Sequence, residues 1–373
     1  MTNNKNETTL RNLFDTAGVT INGNKPYDIQ VNNPKFYSKV LAESVLGFGE
    51  SYMDGWWDCE AVDQLIDKLL RGNLEYAIKG NWKIALHLLR AKYLNLQKVS
   101  RAFKVGQQHY DLSNKLYSAM LDKRMNYTCA YWKNADNLDD AQEAKLDLVC
   151  RKIGLKPGMK ILELGCGFGA FAGYAAEKYG VSVTGVTVSK KQVDYGNERY
   201  KDLPVELKLM DYRKVEGKYD RVISIGIMEH VGYKNYETYM KVVDRTLLEG
   251  GLAFIHTIGR NDSHTTTNPW IAKYIFPNGV LPSIANLGKA MEKYYVIEDL
   301  HNFGIDYDKT MMCWHENFEN AWDELKNDFD ERFRRMWHYY LLSGAGGFRS
   351  RQTNLWQFVI TRIGDPQPDC RLS

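Results

Sequence analysis

The sequence predicts an α/β fold: a doubly wound, mostly parallel sheet, with a smaller and mainly helical domain before it. From about residue 158 the chain alternates short apolar, β-branched runs with helical stretches, which is the pattern of βαβ units. In the first hundred residues apolar side chains recur at helical spacing instead. The chain has 373 residues, more than one hydrophobic core usually serves, so two domains are expected.

The predicted strands are MKILEL, VSVTGVT, VELKLM, DRVISIG and GLAFIHTIG. Helical stretches lie between several of them, notably FAGYAAEKYG, KKQVDYGNERY and NYETYMKVVDRTLL. Ligands of such sheets bind beyond the carboxyl ends of the strands, near the point where the strand order reverses. Polar residues that directly follow a strand are therefore the candidates for a functional site.

The N-terminal part is predicted to form short helices separated by turns. LRNLFDTAGV and AVDQLIDKLLRG have helical spacing, and Gly and Pro interrupt the segment between them. We expect a helical domain over residues 1–105, a linker over 106–122 and a catalytic domain over 123–373.

Residues 76–110 contain seven Lys or Arg and no Asp or Glu. Their apolar residues form one helical stripe, with Lys79, Lys83, Arg90 and Arg101 along one flank. An anionic bilayer surface selects basic residues beside an aromatic-rich face. A core-facing helix with a solvated basic side has the same pattern, so the stretch alone leaves both interpretations open.

Composition narrows the class of protein. The net charge of +3 is too small to imply a nucleic-acid partner, and we expect none. No apolar run approaches the length of a membrane span, and the first residues lack the apolar core of a signal peptide. The six cysteines form no C-x-x-C and have no zinc-type spacing to a His. We therefore expect reduced thiols, no metal and a cytoplasmic location.

A glycine-rich turn follows the first predicted strand. It contains Glu163, Gly165, Gly167 and Gly169 in the spacing E-x-G-x-G-x-G, unlike the spacings of dinucleotide or triphosphate loops. Its carboxylate would repel a pyrophosphate but could accept the cationic amine of an amino acid. The pattern resembles motif I of class I S-adenosylmethionine-dependent methyltransferases. That resemblance implies a Rossmann-like sheet that binds S-adenosylmethionine.

The second strand lacks the acidic residue that usually holds a ribose in such folds. It ends instead in Thr187 and Val188, with Gln192 one turn later, and neutral polar groups can make the same hydrogen bonds. Ser189 is also a candidate helix N-cap. After the third strand, Asp211 and Tyr212 are candidates for binding adenine, and a surface turn is an equally good interpretation.

Further polar residues stand where a parallel sheet would open. Glu229 follows the fourth strand, His256 ends the fifth, and Tyr307 and Cys129 lie outside these strands. Such a residue alone is more often a satisfied core group than a catalyst. Two of them at strand carboxyl ends favour a site.

Several motifs together resemble the cyclopropane-fatty-acyl-phospholipid synthase family, and the second half is also similar to the mycolic acid cyclopropane synthases. The motifs are GFGESYMDGWWDC, MNYTCAYW, ELGCGFG, GVTVSKKQ, EHVG, HTIG, WIAKYIFPNG, HNFGIDYD and FRSRQTNLWQ, in this order. The resemblance covers nearly the whole chain. One departure is Gly344, where family members often have a Cys.

The resemblance implies that a methyl group from S-adenosylmethionine goes to a cis double bond of a phospholipid acyl chain. Proton loss to a bound bicarbonate then closes the ring. It implies that the anion is held by Cys129, Glu229, His256, the backbone at Ile258, and Tyr307. It places the cofactor on Tyr127, Thr128, Gly165, Gly167, Thr187, Val188, Gln192 and Tyr212.

Alkene methylation makes a carbocation, so the pocket must exclude water and stabilise positive charge with aromatic faces and an anion. An ordinary S-adenosylmethionine-dependent methyltransferase, acting on a lipid or small-molecule nucleophile, needs no trapped anion. A non-catalytic lipid-binding protein would not explain the glycine loop. We therefore expect a cyclopropanating enzyme, peripherally bound to the inner face of the membrane through its N-terminal domain, and a homodimer.

Overall fold

The computed structural model describes residues 2–72 and 114–372, and these form two compact units. The sheet unit contains residues 114–264, 278–306 and 354–372. The helical unit contains residues 2–72, 265–277 and 307–353. The basic stretch over 76–110 lies outside the described residues, so its interpretation stays a prediction.

The strands and helices are numbered here in chain order. The strands are β1 (Gln30–Val31), β2 (Trp57–Asp58), β3 (Lys160–Leu164), β4 (Ser182–Thr187), β5 (Val205–Leu209), β6 (Tyr219–Ile225), β7 (Leu247–Arg260), β8 (Tyr295–Asn302) and β9 (Thr353–Arg362). The α-helices are α1 (Thr2–Asp15), α2 (Lys35–Met53), α3 (Val62–Arg71), α4 (Asn114–Met120), α5 (Leu138–Lys152), α6 (Ala170–Tyr179), α7 (Lys190–Arg199), α8 (Met228–Val231), α9 (Tyr236–Thr246), α10 (Pro269–Tyr274), α11 (Ile284–Met291), α12 (Ile305–Asn320), α13 (Trp322–Leu325) and α14 (Glu331–Arg349).

The sheet has seven strands in the order β5-β4-β3-β6-β7-β9-β8. β3 pairs in parallel with β4 and β6, β4 with β5, and β6 with β7, whereas β8 and β9 are antiparallel. The order therefore reverses between β3 and β6, which makes the carboxyl ends of these strands the expected ligand-binding edge.

Successive residues of β3 face opposite layers. Leu162 and Leu164 belong to one buried apolar cluster, and Ile161 belongs to another. A strand that is buried on both faces is typical of a doubly wound sheet. The predicted fold class is confirmed.

Polar side chains fix where several helices begin. The Asn137 side chain accepts a hydrogen bond from the backbone N–H of Asp140 at the start of α5. Ser189 caps α7, as the sequence predicts, by accepting from the N–H of Gln192. Such caps satisfy backbone donors that a helix leaves unpaired at its first turn.

The core of the helical unit is rich in aromatic residues. Phe48 stacks on Trp57 with ring centroids 4.4 Å apart, and Tyr339 of α14 contacts both rings. Trp270 of α10 contacts Tyr339 at 4.8 Å. Helices from distant parts of the sequence thus bury the apolar faces of the N-terminal helices.

This division differs from the predicted domains, which placed all residues after 123 in one domain. The reason lies in α14, which packs closely on α3: a Cβ atom added to Gly346 would lie 2.5 Å from the carbonyl oxygen of Asp63. Arg349 also forms ion pairs with Asp63 and Asp308. These contacts join residues far apart in sequence, so local patterns do not reveal them.

The described part of the predicted linker is also structured. Residues 114–120 form α4, whose Leu116, Tyr117 and Met120 are buried. Across the two described ranges, every helix is too short or too polar to span a bilayer.

Candidate active site

The glycine turn after β3 is held tightly against β4. The N–H groups of Gly165 and Cys166 both donate to the carbonyl of Val186, at 2.9 and 3.0 Å. Gly165, Gly167 and Gly169 have φ values of +76°, +53° and +80°, a conformation that other residues rarely adopt. A Cβ atom added to Gly167 would meet nothing within 4 Å. The loop therefore presents bare backbone to an open space at its middle, which fits the close approach of a cofactor.

Glu163 lies beneath this loop and not on its rim, because only 3% of the residue is exposed. Its Oε2 atom has no hydrogen-bond partner in the described part of the chain. Burial raises the pKa of Glu163 to about 8, against the opposing effect of the nearby Lys145 ammonium. An unpartnered buried carboxyl oxygen is costly, so this atom is available for a ligand group or a trapped water.

The end of β4 forms a small polar network. Thr187 Oγ1 donates to Gln192 Oε1 at 2.8 Å, and both residues are buried. Val188 between them in the chain is half-buried. The network fixes the amide of Gln192 at the carboxyl edge next to the glycine loop.

Asp211 is already partnered. Its two oxygens accept hydrogen bonds from the Arg213 guanidinium, at 2.8 and 2.6 Å, and Oδ1 also accepts from the Arg213 N–H. This arrangement matches the turn interpretation and leaves less of the carboxylate for adenine. Tyr212 is half-buried, and its ring contacts Tyr239 at 5.8 Å.

Glu229 is attached to β7 through a backbone contact. Its Oε1 accepts from the N–H of Ile258 at 2.6 Å, while Oε2 has no hydrogen-bond partner among the described residues. Burial raises the pKa of Glu229 to about 7. At neutral pH this carboxyl group is thus close to the midpoint of its titration and can either hold or accept a proton.

His256 lies on the same strand, two residues before Ile258, so the two side chains share one face of β7. The amide of Gln357 on β9 donates to Nδ1 of His256 at 3.2 Å, which places the ring proton on Nε2. Burial lowers the pKa of His256 well below its usual range, so the ring is neutral. Nε2 is buried, and no described residue hydrogen-bonds to it. The ring therefore offers a buried donor to any group that binds beside it.

The segment before the sheet passes the carboxyl end of β6. A Cβ atom on Gly226 would lie 3.0 Å from Cγ2 of Thr128. Cys129, the next residue, is fully buried, with Sγ 3.2 Å from the carbonyl of Ala130. Tyr127 is half-buried and contacts the ring of Tyr117. Thr128 is therefore beside the strand end that leads to Glu229.

Tyr307 belongs to the helical unit. Its ring stacks on Phe348 with centroids 4.3 Å apart and is 7% exposed. Its assignment to the site stays a prediction that rests on the sequence resemblance.

Sequence reasoning missed two residues of the sheet unit. Gln357 orients His256, and the signal for it was a lone amide inside the apolar strand LWQFVI. Lys145 is 1% exposed and donates to Asn126 and Thr128. Nothing in the sequence distinguishes Lys145 from an ordinary helix-surface lysine, because its burial comes from tertiary packing.

Comparison with known proteins gives one consistent result. A family model described as mycolic acid cyclopropane synthetase matches residues 97–358. A cyclopropane-fatty-acyl-phospholipid synthase from Escherichia coli strain K12 is 50% identical over 350 residues, which cover 94% of this chain and 92% of that protein.

Two solved structures share the fold at lower identity. The cyclopropane synthase MmaA2 from Mycobacterium tuberculosis has a TM-score of 0.66 and 28% identity, and the match covers 69% of this chain and 97% of that one. The mycolic acid cyclopropane synthase CmaA1, solved with SAH and CTAB, has a TM-score of 0.65 and 30% identity over the same shares of each chain.

Proposed function

Because the chain belongs to the mycolic acid cyclopropane synthetase family, we propose that this S-adenosylmethionine-dependent methyltransferase forms cyclopropane rings in membrane lipids. Its substrates are the cis double bonds of unsaturated acyl chains in phospholipids. The relative that is 50% identical over almost the whole chain carries the name of this activity. The alternative is an ordinary methyltransferase that acts on a nucleophile, and the experiment must distinguish its product from a cyclopropane.

The observation that carries the proposal is a pair of buried atoms without partners in the described chain, Glu229 Oε2 and His256 Nε2. One is an acceptor and the other a donor, and both residues are anchored to the same stretch of β7. A small anion that carries one proton, such as bicarbonate, suits this pair because it can donate to the carboxylate and accept from the imidazole. We place bicarbonate between them and beside Cys129, and the assignments of Ile258 and Tyr307 to this anion rest on the sequence resemblance.

The charge of Glu229 is compatible with an anion beside it. Two neighbouring negative charges cannot both ionise freely. Since burial already raises the pKa of Glu229 to about 7, a shared proton between Glu229 and the anion has a small cost. The N–H of Ile258 is taken up by Glu229 Oε1, so Ile258 acts chiefly by positioning this carboxylate.

The cofactor belongs on the glycine loop. The open backbone at Gly167 accommodates its amino acid part, and Gly165 and Gly169 shape the turn on either side. The remaining contacts are assigned to Tyr127, Thr128, Glu163, Thr187, Val188, Gln192, Asp211 and Tyr212. When bound, S-adenosylmethionine supplies the methyl group and bicarbonate supplies the base.

The residues around His256 also exclude water. Phe303 contacts the imidazole at 6.0 Å between ring centroids, and Tyr131 contacts Phe303 at 5.2 Å. Aromatic faces stabilise a neighbouring cation, and a dry pocket protects it from capture by water. Both effects are needed when an alkene accepts a methyl group.

The substrate of the proposed reaction stays in a bilayer, so we propose that the enzyme acts peripherally on the inner face of the membrane. The basic stretch over 76–110 is the candidate for this contact. A homodimer on a planar surface would gain avidity from two such stretches.

The test is to incubate the protein with S-adenosylmethionine and vesicles of cis-unsaturated phospholipid. The expected product has gained one CH₂ group in mass and has lost the olefinic protons of its acyl chain. A gain of CH₂ with the olefinic protons retained, or methylation of the head group, would contradict cyclopropanation. Degassed buffer should lower the rate, and added bicarbonate should restore it. A rate that does not depend on the bicarbonate concentration would exclude bicarbonate as the base. It would not contradict cyclopropanation, which the product analysis tests separately.

A further inference from the structure

The helical unit contains a compact group of two histidines and one glutamate that the proposed reaction does not use. His315 and Glu319 lie one turn apart on α12, on the same face of the helix, and His338 lies on α14. Each of the three side chains has an atom that could bind a metal ion, and these three atoms lie within 4.8 Å of one another.

The distances between the three ligand atoms suit one small ion. His315 Nε2 and His338 Nδ1 are 2.9 Å apart, His338 Nδ1 and Glu319 Oε1 are 3.2 Å apart, and His315 Nε2 and Glu319 Oε1 are 3.8 Å apart. Ligands about 2.0–2.1 Å from a tetrahedral Zn²⁺ are separated by about 3.3 Å, and the three distances bracket that value. A point about 2 Å from all three atoms exists just outside their plane.

The surroundings supply the support that metal ligands need. Arg334 donates to the other oxygen of Glu319, Oε2, through Nη2 at 2.5 Å and Nε at 3.1 Å, and so fixes the carboxylate orientation. The ring of Tyr52 stacks on His338 with centroids 6.0 Å apart. The side chains of the three ligands are 18–23% exposed, which leaves an entry path from solvent. Outer contacts of this kind are typical of working metal sites.

We propose that His315, Glu319 and His338 bind a borderline divalent metal ion of the Zn²⁺ class. Two imidazoles and a carboxylate select such an ion over Mg²⁺ or Ca²⁺, which prefer oxygen ligands. The fourth position is left for water. The ion links α12 to α14, so its effect is to stabilise the helical unit. The Arg334 charge nearby lowers the affinity below that of a closed structural zinc site.

The sequence predicts no metal because its cysteines have no zinc-type spacing to histidines. His315 and His338 are 23 positions apart on different helices, so no short motif connects them. The proposed metal site does not depend on the cyclopropanation chemistry, so an experiment can support or contradict either proposal without affecting the other.

The test uses the full-length protein, stripped with a chelator and then titrated with Zn²⁺ against a chromophoric competitor. We expect one ion per chain with wild type, and an intense visible absorption of the tetrahedral type when Co²⁺ replaces Zn²⁺. His338→Asn keeps a hydrogen-bonding group near the Nδ1 position but removes a good ligand, and it should weaken binding at least tenfold. His315→Ala should do the same. His264→Ala is the matched control, because His264 pairs with an aspartate elsewhere in the chain.

Each result decides the question. Loss of binding in His338→Asn and His315→Ala, with wild-type affinity in His264→Ala, supports the site. Equal Zn²⁺ uptake by wild type and the His315→Ala/His338→Asn double variant would overturn it, and so would no uptake by wild type. Unchanged circular dichroism and urea denaturation of each metal-free variant, relative to metal-free wild type, show that the loss of metal is not a loss of fold.

Discussion

The ammonium group of Lys145 donates to the hydroxyl of Thr128 at 2.9 Å, although Lys145 is 1% exposed. The same nitrogen donates to Asn126 Oδ1 at 2.9 Å. Burial lowers the pKa of this lysine to about 8, and the carboxylate of Asp122 opposes the shift. Lys145 therefore fixes the segment that carries Thr128 and Cys129 at the carboxyl edge of the sheet.

Replacing Lys145 tests this role. Lys145→Met keeps the length of the side chain but leaves Asp122 buried without its nearby positive charge. The substitution also removes the hydrogen bonds from Lys145 to Asn126 and Thr128. Leaving buried polar groups unsatisfied costs about 1–3 kcal/mol each, so the free energy of unfolding should fall by at least that amount. Urea denaturation provides the measurement. Asp122→Asn in the same chain should recover part of the loss, and the exposed Lys201→Met should change little. Wild-type stability in Lys145→Met would contradict the role.

His256→Ala should separate catalysis from cofactor binding. The variant removes the Nε2 donor, but the glycine loop remains intact. Without that donor the proposed bicarbonate loses its position, and the loss of a positioned base costs about a hundredfold to ten-thousandfold in rate, so turnover should fall that far. The dissociation constant for S-adenosylmethionine, measured by calorimetry, should stay within a few-fold of wild type. Equal losses in both quantities would indicate a structural role.

Gly167→Asn should have the opposite effect. Asn tolerates the left-handed backbone conformation that Gly167 has, but its side chain would fill the open space above the loop. Cofactor affinity should fall roughly a hundredfold, equivalent to about 2.8 kcal/mol. Gly250→Asn is a close control, since Gly250 has a φ of +67° and an equally open surrounding. Undiminished calorimetric binding in Gly167→Asn would remove the loop from the cofactor site.

Glu229 should make stability depend on pH. Burial raises its pKa from 4.5 to about 7, so the folded chain keeps a proton that the unfolded chain releases at lower pH. The contribution of Glu229 to the free energy of unfolding is fully present below about pH 4.5 and is lost as the pH rises through about 7. Glu229→Gln cannot ionise, so its urea midpoint should decline less than that of wild type between about pH 5 and pH 8. Parallel curves for the two proteins would refute the shift. Exposed Glu198→Gln serves as the control.

The basic stretch is testable without further structural detail. Reversal of Lys79, Lys83 and Arg90 to Glu should sharply reduce co-sedimentation with anionic vesicles, because each basic residue near the surface contributes about 1 kcal/mol. Raising the salt concentration should weaken wild-type binding in the same way. Cofactor binding should not change. The control reverses three exposed lysines of the sheet unit: Lys156, Lys160 and Lys201. Equal co-sedimentation of wild type and triple variant at low salt would exclude a membrane role for this stretch.

The sheet and the glycine loop were predictable because their signals are local. The alternation of strands and helices and the E-x-G-x-G-x-G spacing both lie within short windows of sequence. Glu229 was found because it comes soon after β6, and His256 because the sequence predicted a strand end there, although β7 continues to Arg260. Lys145 was not predictable, since its burial depends on packing that a single helix does not encode. The composition of the two compact units was not predictable for the same reason: Gly346 approaches Asp63, which is far away in the sequence.

The place of β9 in the sheet has a consequence for how the protein is made. β9 lies between β7 and β8, yet it is synthesised after both of them. Until residues 353–362 are synthesised, β8 has no neighbour in the sheet, and His256 lacks the Gln357 amide that orients it. The core of the helical unit is also incomplete until α14 has been synthesised. Vectorial folding from the N-terminus therefore cannot complete either unit early, and the nascent chain exposes strand edges and apolar faces until residue 362 has been synthesised.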